Sequence, residues 1–335
     1  MSAERMVFSN ATADHTSVPV QNAVACVVLG LACLVGVPGN FTVIVTVLCN
    51  IKQRSSTIVL ILSLAVADFV VLVTLPFWIY FLADSWIFGI LLWKLTVYLI
   101  FTSMYASVFF IALLSVERLV AVLYPFLIQK RWKRAAVNKV AACIWISALL
   151  LAVPTLTVEL KLDENGRPCK RAYSSDQQQM GLLLLETLVG FLIPFSALSI
   201  SYVAVSKRIK QMVFRRRNRS VKLIVGIVMA FVICWFPYHT GNIVKISSLL
   251  AKNSNSELSQ KLDKVYRSMK DASGALAFVS SSINPILYAF AAWNFKNGFK
   301  VSNLAKVFQQ MNSFKERLEK GMNNSEHRSE SITIL

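Results

Sequence analysis

Several ionisable side chains of this sequence lie inside long apolar stretches, where charge is unusual. Asp68 and Glu186 are each flanked by hydrophobic residues, and the pair Glu117-Arg118 closes another such stretch. A charged side chain at the centre of a bilayer costs about 2.5 to 3.5 kcal/mol on insertion scales, so such groups are expected to face a protein interior. There they bind an ion, a ligand or one another.

Catalysis is not indicated by the remaining residue types. The sequence has no nucleophile and base at a fixed spacing, no metal-ligand cluster and no glycine loop that would cradle a phosphate, and its three histidines are His15, His239 and His327. We therefore expect no enzymatic activity and no cofactor, apart from the cation discussed below.

Seven apolar segments must position the charged groups. A helix needs about 20 mainly apolar residues to cross a bilayer, and 56% of the 335 residues are hydrophobic while only 16% are charged. The segments are 22–49, 57–83, 90–123, 136–158, 180–207, 219–250 and 268–291. The sequence therefore predicts an all-α integral membrane protein, a bundle of seven transmembrane helices.

Positive charge lies between alternate segments. Basic residues occur at 52–54 after the first segment, at 130–134 after the third and at 207–222 after the fifth. Cytoplasmic loops carry such an excess of Lys and Arg, so the net charge of +18 needs no nucleic-acid partner. The N-terminus is predicted to be extracellular, which makes Asn10, in an Asn-Ala-Thr sequon, a glycosylation site.

Each segment also carries a characteristic polar residue, tryptophan or proline. In chain order they are Gly39-Asn40, Leu64-Ala65-Val66-Ala67-Asp68, Ser115-Val116-Glu117-Arg118-Leu119, Trp145, Pro194 with Tyr202, Cys234-Trp235-Phe236-Pro237, and Asn284-Pro285 with Tyr288. This series, over about residues 20–311, resembles the rhodopsin-like (class A) G-protein-coupled receptors. The resemblance implies a plasma-membrane receptor whose partner is a heterotrimeric G protein.

The four regions of such a receptor can be delimited. We expect an extracellular N-terminal segment, 1–21, a seven-transmembrane receptor domain, 22–291, an amphipathic cytoplasmic eighth helix, 292–311, and a cytoplasmic tail, 312–335. Apolar residues alternate with lysines in the third region, as in a helix that lies on a membrane surface. The tail ends in serines that could bind an arrestin once phosphorylated, although short tails carry serines in any case.

The resemblance implies a switch for the G protein near the cytoplasmic end. Its residues are Glu117, Arg118, Tyr202, Trp235, Pro237, Pro285 and Tyr288. Arg118 would leave Glu117 for Tyr202 or for the partner, and the two prolines would let the sixth helix bend outward. The alternative is an interfacial salt bridge between Glu117 and Arg118 with no switching role.

The resemblance also implies an allosteric sodium ion at Asp68. The predicted site consists of Asp68, Ser107, Ser281 and Asn284. Oxygen donors suit a hard cation. The alternative is that Asp68 only hydrogen-bonds Asn40 and the serines.

Less general stretches resemble the leukotriene B4 receptors of the chemoattractant group. They are Ser103-Met104-Tyr105-Ala106-Ser107-Val108, Tyr124-Pro125-Phe126, Phe214-Arg215-Arg216-Arg217, Trp235-Phe236-Pro237-Tyr238-His239 with Asn242, and Ala277-Phe278. The implied ligand is an acidic lipid, leukotriene B4 or a related hydroxy fatty acid, and the implied G protein is of the inhibitory class. Another chemoattractant, a non-signalling decoy and, less favoured, a transporter remain alternatives.

A hydroxy fatty acid needs a cation for its carboxylate, hydrogen-bonding groups for its hydroxyls and an apolar slot for its chain. By the resemblance Glu186, Tyr238, His239 and Asn242 would line the hydroxyl-reading part. Lys270 would bind the carboxylate, with Lys94 and Arg267 as secondary cations. Glu186 could instead be a buried structural acid.

One departure from the receptor pattern concerns a disulfide. Most rhodopsin-like receptors join the third segment to the second outside loop through two cysteines, but this chain has Trp93 at the first position and Cys169 at the second. Cys26 is the remaining candidate partner for Cys169. Without this bond, which typically stabilises by about 2 to 4 kcal/mol, we expect a looser loop over the ligand entrance.

Overall fold

A computed structural model describes residues 20–51, 55–84, 86–123, 134–162, 168–211 and 219–293, together with residues 306, 308 and 309. Asn10, the tail 312–335 and most of the predicted eighth helix lie outside the described residues. The backbone of Arg118 and Tyr202 is described, but their side chains are not.

The described residues form the predicted bundle of seven spans. In chain order the spans are α1 (Val20–Asn50), α2 with α3 (Ser56–Val73 and Leu75–Ala83), α4 (Gly89–Leu123), α5 with a 3-10 turn (Arg134–Ala152 and Val153–Thr157), α6 with a π-helical turn and α7 (Asp176–Thr187, Leu188–Leu192 and Ile193–Gln211), α8 (Arg219–Ala251) and α9 (Ser256–Trp293). Within this part of the chain, six helical segments are long and apolar enough to cross a membrane. The seventh span, α9, carries charged residues through its first half.

A short β-hairpin is added to the helical bundle between the fourth and fifth spans. Strand β1, Glu159–Leu162, pairs antiparallel with β2, Pro168–Ala172, and Glu159 lies opposite Ala172. We call the end of the bundle that carries this hairpin the hairpin end. The turns that join the second to the third span and the sixth to the seventh lie at the same end, because the spans alternate in direction.

The seventh span begins well before its predicted start. Helix α9 starts at Ser256, 12 residues before position 268, and the added part is about 18 Å long. The side chain of Asn255 accepts a hydrogen bond from the Leu258 backbone N–H at 2.9 Å, as helix-capping residues do. The prediction from apolar content alone therefore placed the start of the seventh span too late. The capping residue Asn255 was the sequence signal that could have corrected it.

An ion pair joins this projecting part of α9 to α8. Lys245 of α8 pairs with Asp263 of α9 at 2.6 Å, and Arg267, also of α9, pairs with the same carboxylate at 2.6 Å. Partial burial would raise the pKa of Asp263, but the hydrogen bonds from the two cations outweigh it and hold the pKa below its usual range. The sixth and seventh spans are thus joined beyond the apolar core.

Small residues bring the first span against the seventh. A Cβ atom on Gly39 would lie 2.7 Å from the ring of Pro285, so only glycine allows this approach. The side-chain amide of Asn40 donates to the backbone carbonyl of Ser281 at 3.0 Å. This contact fixes the polar stretch of α9 that faces the bundle interior.

An aromatic cluster occupies the place where the usual disulfide would begin. Trp93 is 1% exposed, and the centre of its ring lies 5.0 Å from that of Trp78, 5.4 Å from Phe81 and 5.3 Å from Trp86. Cys26, among the described residues, is a free thiol, and its Sγ atom donates to the Ile79 carbonyl at 3.6 Å. The disulfide between Cys26 and Cys169 is therefore not formed. Aromatic packing holds the hairpin end of the third span instead.

Candidate functional site

A cavity of about 210 Å³ opens between the spans and runs toward the middle of the bundle. One face of α9 forms a wall of this cavity, from Lys270 at the hairpin end through Gly274 and Phe278 to Ser281 and Asn284. These residues follow one another at three- or four-residue spacing, so they form a single stripe about 21 Å long. The wall offers a cation at one end, apolar surface in the middle and polar groups at the far end.

Asp68 lies at the polar far end and is only 1% exposed. Ser107 donates its hydroxyl to one carboxylate oxygen at 3.1 Å, and the side-chain amide of Asn284 donates to the other at 2.6 Å. The hydroxyl of Ser281 also hydrogen-bonds this carboxylate. The structure thus brings together the four residues of the predicted sodium site.

The donor chemistry at Asp68 fits a hard cation. The site offers a carboxylate and the hydroxyls of Ser107 and Ser281, all oxygen donors. Ser103 adds a hydroxyl that lines the same cavity, is 1% exposed and has no hydrogen-bond partner among the described residues.

A buried acid joins the fifth span to the sixth beside the cavity. Glu186 is 6% exposed, and one of its carboxylate oxygens accepts hydrogen bonds from the Tyr238 hydroxyl at 2.9 Å and from the Asn242 amide at 3.2 Å. Of these three residues, only Tyr238 is among the described residues that line the cavity. Glu186 and Asn242 therefore lie on the side of Tyr238 away from the cavity, where they orient the Tyr238 phenol.

His239 is packed between aromatic rings. The centre of its ring lies 4.7 Å from that of Phe191 and 5.8 Å from that of Trp235, and both pairs are stacked. Neither ring nitrogen has a hydrogen-bond partner within the described part of the chain. Gly190 lies beside this ring, since a Cβ built there would be 4.0 Å from His239 and 3.4 Å from Met104.

The two secondary cations are placed away from the cavity wall. Arg267 projects from α9 and pairs with Asp263, and Lys94 lies half-buried on α4. Neither is among the described lining residues, whereas Lys270 is. Of the three cations predicted from the sequence, Lys270 is the one in position to meet a carboxylate inside the cavity.

Trp235 connects the cavity to the polar stretch of α9. Its indole N–H donates to the Ser280 hydroxyl at 2.9 Å, and the centre of its ring lies 5.9 Å from that of Tyr238 in an edge-on arrangement. Pro237 interrupts the backbone hydrogen bonding of the same helix two residues later. Trp235 and Tyr238 thus lie on either side of the proline of α8.

The opposite end of the bundle holds Glu117. Ser56 donates its hydroxyl to one carboxylate oxygen, and Thr57 donates to the other at 3.0 Å. Both hydroxyls come from the first turn of α2, and sequence reasoning did not assign either residue to the switch. The adjacent hydroxyl side chains just before an apolar helix were a local signal, but their partner is 60 residues away.

Tyr288 is fully buried at the same end. The centre of its ring lies 5.8 Å from that of Phe308, one of the few described residues of the predicted eighth helix. The Tyr288 hydroxyl has no hydrogen-bond partner among the described residues.

Comparisons with known proteins agree with this arrangement. The family model described as 7 transmembrane receptor (rhodopsin family) matches residues 39–288. Leukotriene B4 receptor 1 of Homo sapiens is 35% identical over 307 residues, covering 90% of this chain and 86% of that receptor. The Rattus norvegicus receptor of the same name is 38% identical over 286 residues, covering 84% and 80%. C-C chemokine receptor type 7 of Homo sapiens is 28% identical over 291 residues, covering 85% and 75%.

Proposed function

This chain belongs to the rhodopsin family of seven-transmembrane receptors, and on that premise we propose that its ligand is an extracellular acidic lipid, leukotriene B4 or a related hydroxy fatty acid. Membership makes the protein a multi-pass membrane receptor that couples to G proteins, not an enzyme. Membership of the family does not by itself identify the ligand class, because the family also includes receptors for other chemical classes.

The cavity wall is the observation that carries this proposal. Lys270 supplies a cation at the hairpin end, Phe278 and its neighbours supply apolar surface, and Tyr238 supplies a hydroxyl held by Glu186. A hydroxy fatty acid has the matching groups, a carboxylate, a hydrocarbon chain and hydroxyls. Ligand sites are typically mainly apolar with a few placed polar groups, as here.

Signalling would begin at Tyr238 and Trp235. A ligand hydroxyl that binds Tyr238 favours a conformation in which α8 has shifted, and Pro237 allows the cytoplasmic half of this helix to swing outward. Arg118 would then leave Glu117 and meet the G protein. A sodium ion at Asp68 would favour the resting state, because Trp235 of α8 is hydrogen-bonded to Ser280, the neighbour of the predicted ligand Ser281 on α9.

The proposed partners rest on the family resemblance and on the charge pattern of the sequence. Inhibitory G proteins are the proposed class, and the basic residues 207–222 would face them from the cytoplasm. The N-terminus would be extracellular, with a glycan at Asn10, and the serines of the tail would bind arrestin after phosphorylation. The protein would act at the plasma membrane.

The experiment that tests the proposal is a dose response to leukotriene B4 in cells that express the chain. G-protein activation is the readout, with a toxin that blocks inhibitory G proteins and the variant Arg118→Ala as controls. We expect a saturable response that both controls abolish. Silence of a chain that reaches the cell surface would contradict the ligand assignment.

The cation is tested by comparing leukotriene B4 with its methyl ester. We expect Lys270→Ala to weaken the acid by about tenfold, the loss of one charged hydrogen bond, and to leave the ester unchanged. Lys264→Ala is the matched control, since Lys264 lies exposed on the same helix outside the cavity. Equal losses for acid and ester would rule out Lys270 as the carboxylate partner.

A further inference from the structure

Gly274 leaves an open space in the wall of the cavity. A Cβ atom built on Gly274 would meet no described atom within 4 Å, apart from its chain neighbours and its own helix backbone. The glycines that serve packing differ sharply, since a Cβ on Gly39 would lie 2.7 Å from Pro285. Glycine weakens a helix interior relative to alanine, so packing gives no reason for glycine at position 274.

The position of Gly274 relates it to Lys270. The two residues are four apart on α9, so they lie on the same face and about 6 Å apart along the helix axis. Both line the cavity, and Phe278 follows one turn farther in. A chain that starts at the Lys270 ammonium group and runs into the bundle along α9 must therefore pass Gly274.

The surroundings of this passage are hydrocarbon. Leu29 of the first span, Leu82 of the second and Ile100 of the third line the same cavity. Of the described lining residues, only Asp68 and Lys270 carry a formal charge, and they lie at its two ends. We call the part lined by Leu29, Leu82, Ile100, Gly274, Ala275 and Phe278 the apolar chamber. Such a lining binds hydrocarbon and excludes charged groups.

We propose that Gly274 determines specificity by keeping open the passage through which the hydrocarbon chain of an acidic lipid, bound at Lys270, enters the apolar chamber. This inference rests on the proposed function and adds the route of the chain. A Cβ atom at position 274 fits the receptor without ligand, because no described atom lies within 4 Å of it. The longer side chain of leucine would extend into the volume that the lipid needs.

The test compares Gly274→Leu with Gly30→Leu. Gly30, on the first span, is equally open, since a Cβ there also meets no described atom within 4 Å, but it is not among the residues found to line the cavity. The measurements are surface expression, agonist-free G-protein activation and the leukotriene B4 dose response. We expect Gly274→Leu to raise the half-maximal concentration about tenfold or more while surface expression stays at the wild-type level. Gly30→Leu should match the wild type in all three.

Two further variants make the result specific. Gly274→Ala adds a single methyl group, so it should reach the surface and show a smaller loss of potency than Gly274→Leu. In a Lys270→Ala background, Gly274→Leu should have less additional effect, because neighbouring groups that contact one ligand are not independent. Additive losses, or equal potency of Gly274→Leu and the wild type, would overturn the inference. A wild type that is silent to leukotriene B4 would overturn the proposed function and this inference together.

Discussion

The phenol of Tyr238 donates a 2.9 Å hydrogen bond to the buried carboxylate of Glu186, which ties the sixth span to the fifth. Tyr238 lines the cavity, whereas Glu186 is not among the described lining residues. A ligand hydroxyl that binds Tyr238 must therefore share or replace this contact between spans. Through this hydrogen bond, a ligand that contacts Tyr238 would also affect how the sixth span sits against the fifth.

Removal of this hydroxyl should weaken hydroxylated ligands selectively. We expect Tyr238→Phe to raise the half-maximal concentration of leukotriene B4 about tenfold, since a ligand hydroxyl left without its partner in a buried site costs about 1 to 3 kcal/mol. A fatty acid without hydroxyls should lose much less. Radioligand competition measures both affinities.

Tyr98→Phe is the matched control for this change. The Tyr98 hydroxyl donates to the Leu149 carbonyl at 3.0 Å and joins the third and fourth spans, and Tyr98 is not among the described lining residues. The variant Tyr98→Phe should leave the affinity for leukotriene B4 unchanged. If both variants weaken hydroxylated and plain fatty acids alike, Tyr238 does not read a hydroxyl.

Sodium sensitivity should depend on Asp68. We expect sodium chloride to lower agonist affinity of the wild type, and Asp68→Asn to abolish this effect because the neutral amide cannot compensate the charge of the ion. Agonist binding is measured with sodium or choline at equal ionic strength. A wild type that does not distinguish the two salts would favour the alternative in which Asp68 only forms hydrogen bonds.

Agonist-free signalling should rise when Glu117 loses its hydroxyl partners. In the structure Ser56 and Thr57 donate to its two carboxylate oxygens, and removal of these donors destabilises the conformation that contains them. The double change Ser56→Ala with Thr57→Val should therefore increase agonist-free G-protein activation about tenfold, in keeping with about 1.4 kcal/mol. Nucleotide exchange on the G protein, at matched surface expression, is the measurement.

Ser63→Ala serves as the control for that experiment. The Ser63 hydroxyl donates only within its own helix, to the Val59 carbonyl at 3.0 Å. This variant should behave as the wild type does. Unchanged agonist-free activity in the double variant would show that the two hydroxyls do not stabilise the resting state.

Thermal stability should depend on Trp93 rather than on a disulfide. Truncation of a buried tryptophan typically costs about 3 to 5 kcal/mol, so Trp93→Ala should strongly lower the unfolding temperature of the purified receptor. A reducing agent should not change the unfolding temperature of the wild type. Phe88→Ala, at the exposed margin of the same cluster, should have the smaller effect. A large drop with reductant would instead point to a disulfide.

The composition and the order of landmarks were enough to predict the seven spans and the family. Hydrophobic length is a local property, and Asp68, Glu186 and Asn284 are conspicuous in sequence because polar groups are costly in apolar helices. The projecting start of α9 was not predicted, because its charged residues do not follow a membrane pattern and its contacts with Lys245 depend on a neighbouring helix.

The sequence by itself determined which residues are unusual, and the tertiary structure decided which of them meet. Lys270, Lys94 and Arg267 were all candidate cations in the sequence, with Lys270 preferred through the family resemblance, and of the three only Lys270 is among the described residues that line the cavity. In the sequence, Trp93 stands where a disulfide-forming cysteine was expected. In the fold it belongs to an aromatic cluster. The open space at Gly274 has no signature in the chain at all. Contacts between distant segments depend on how helices pack, and local spacing does not contain that information.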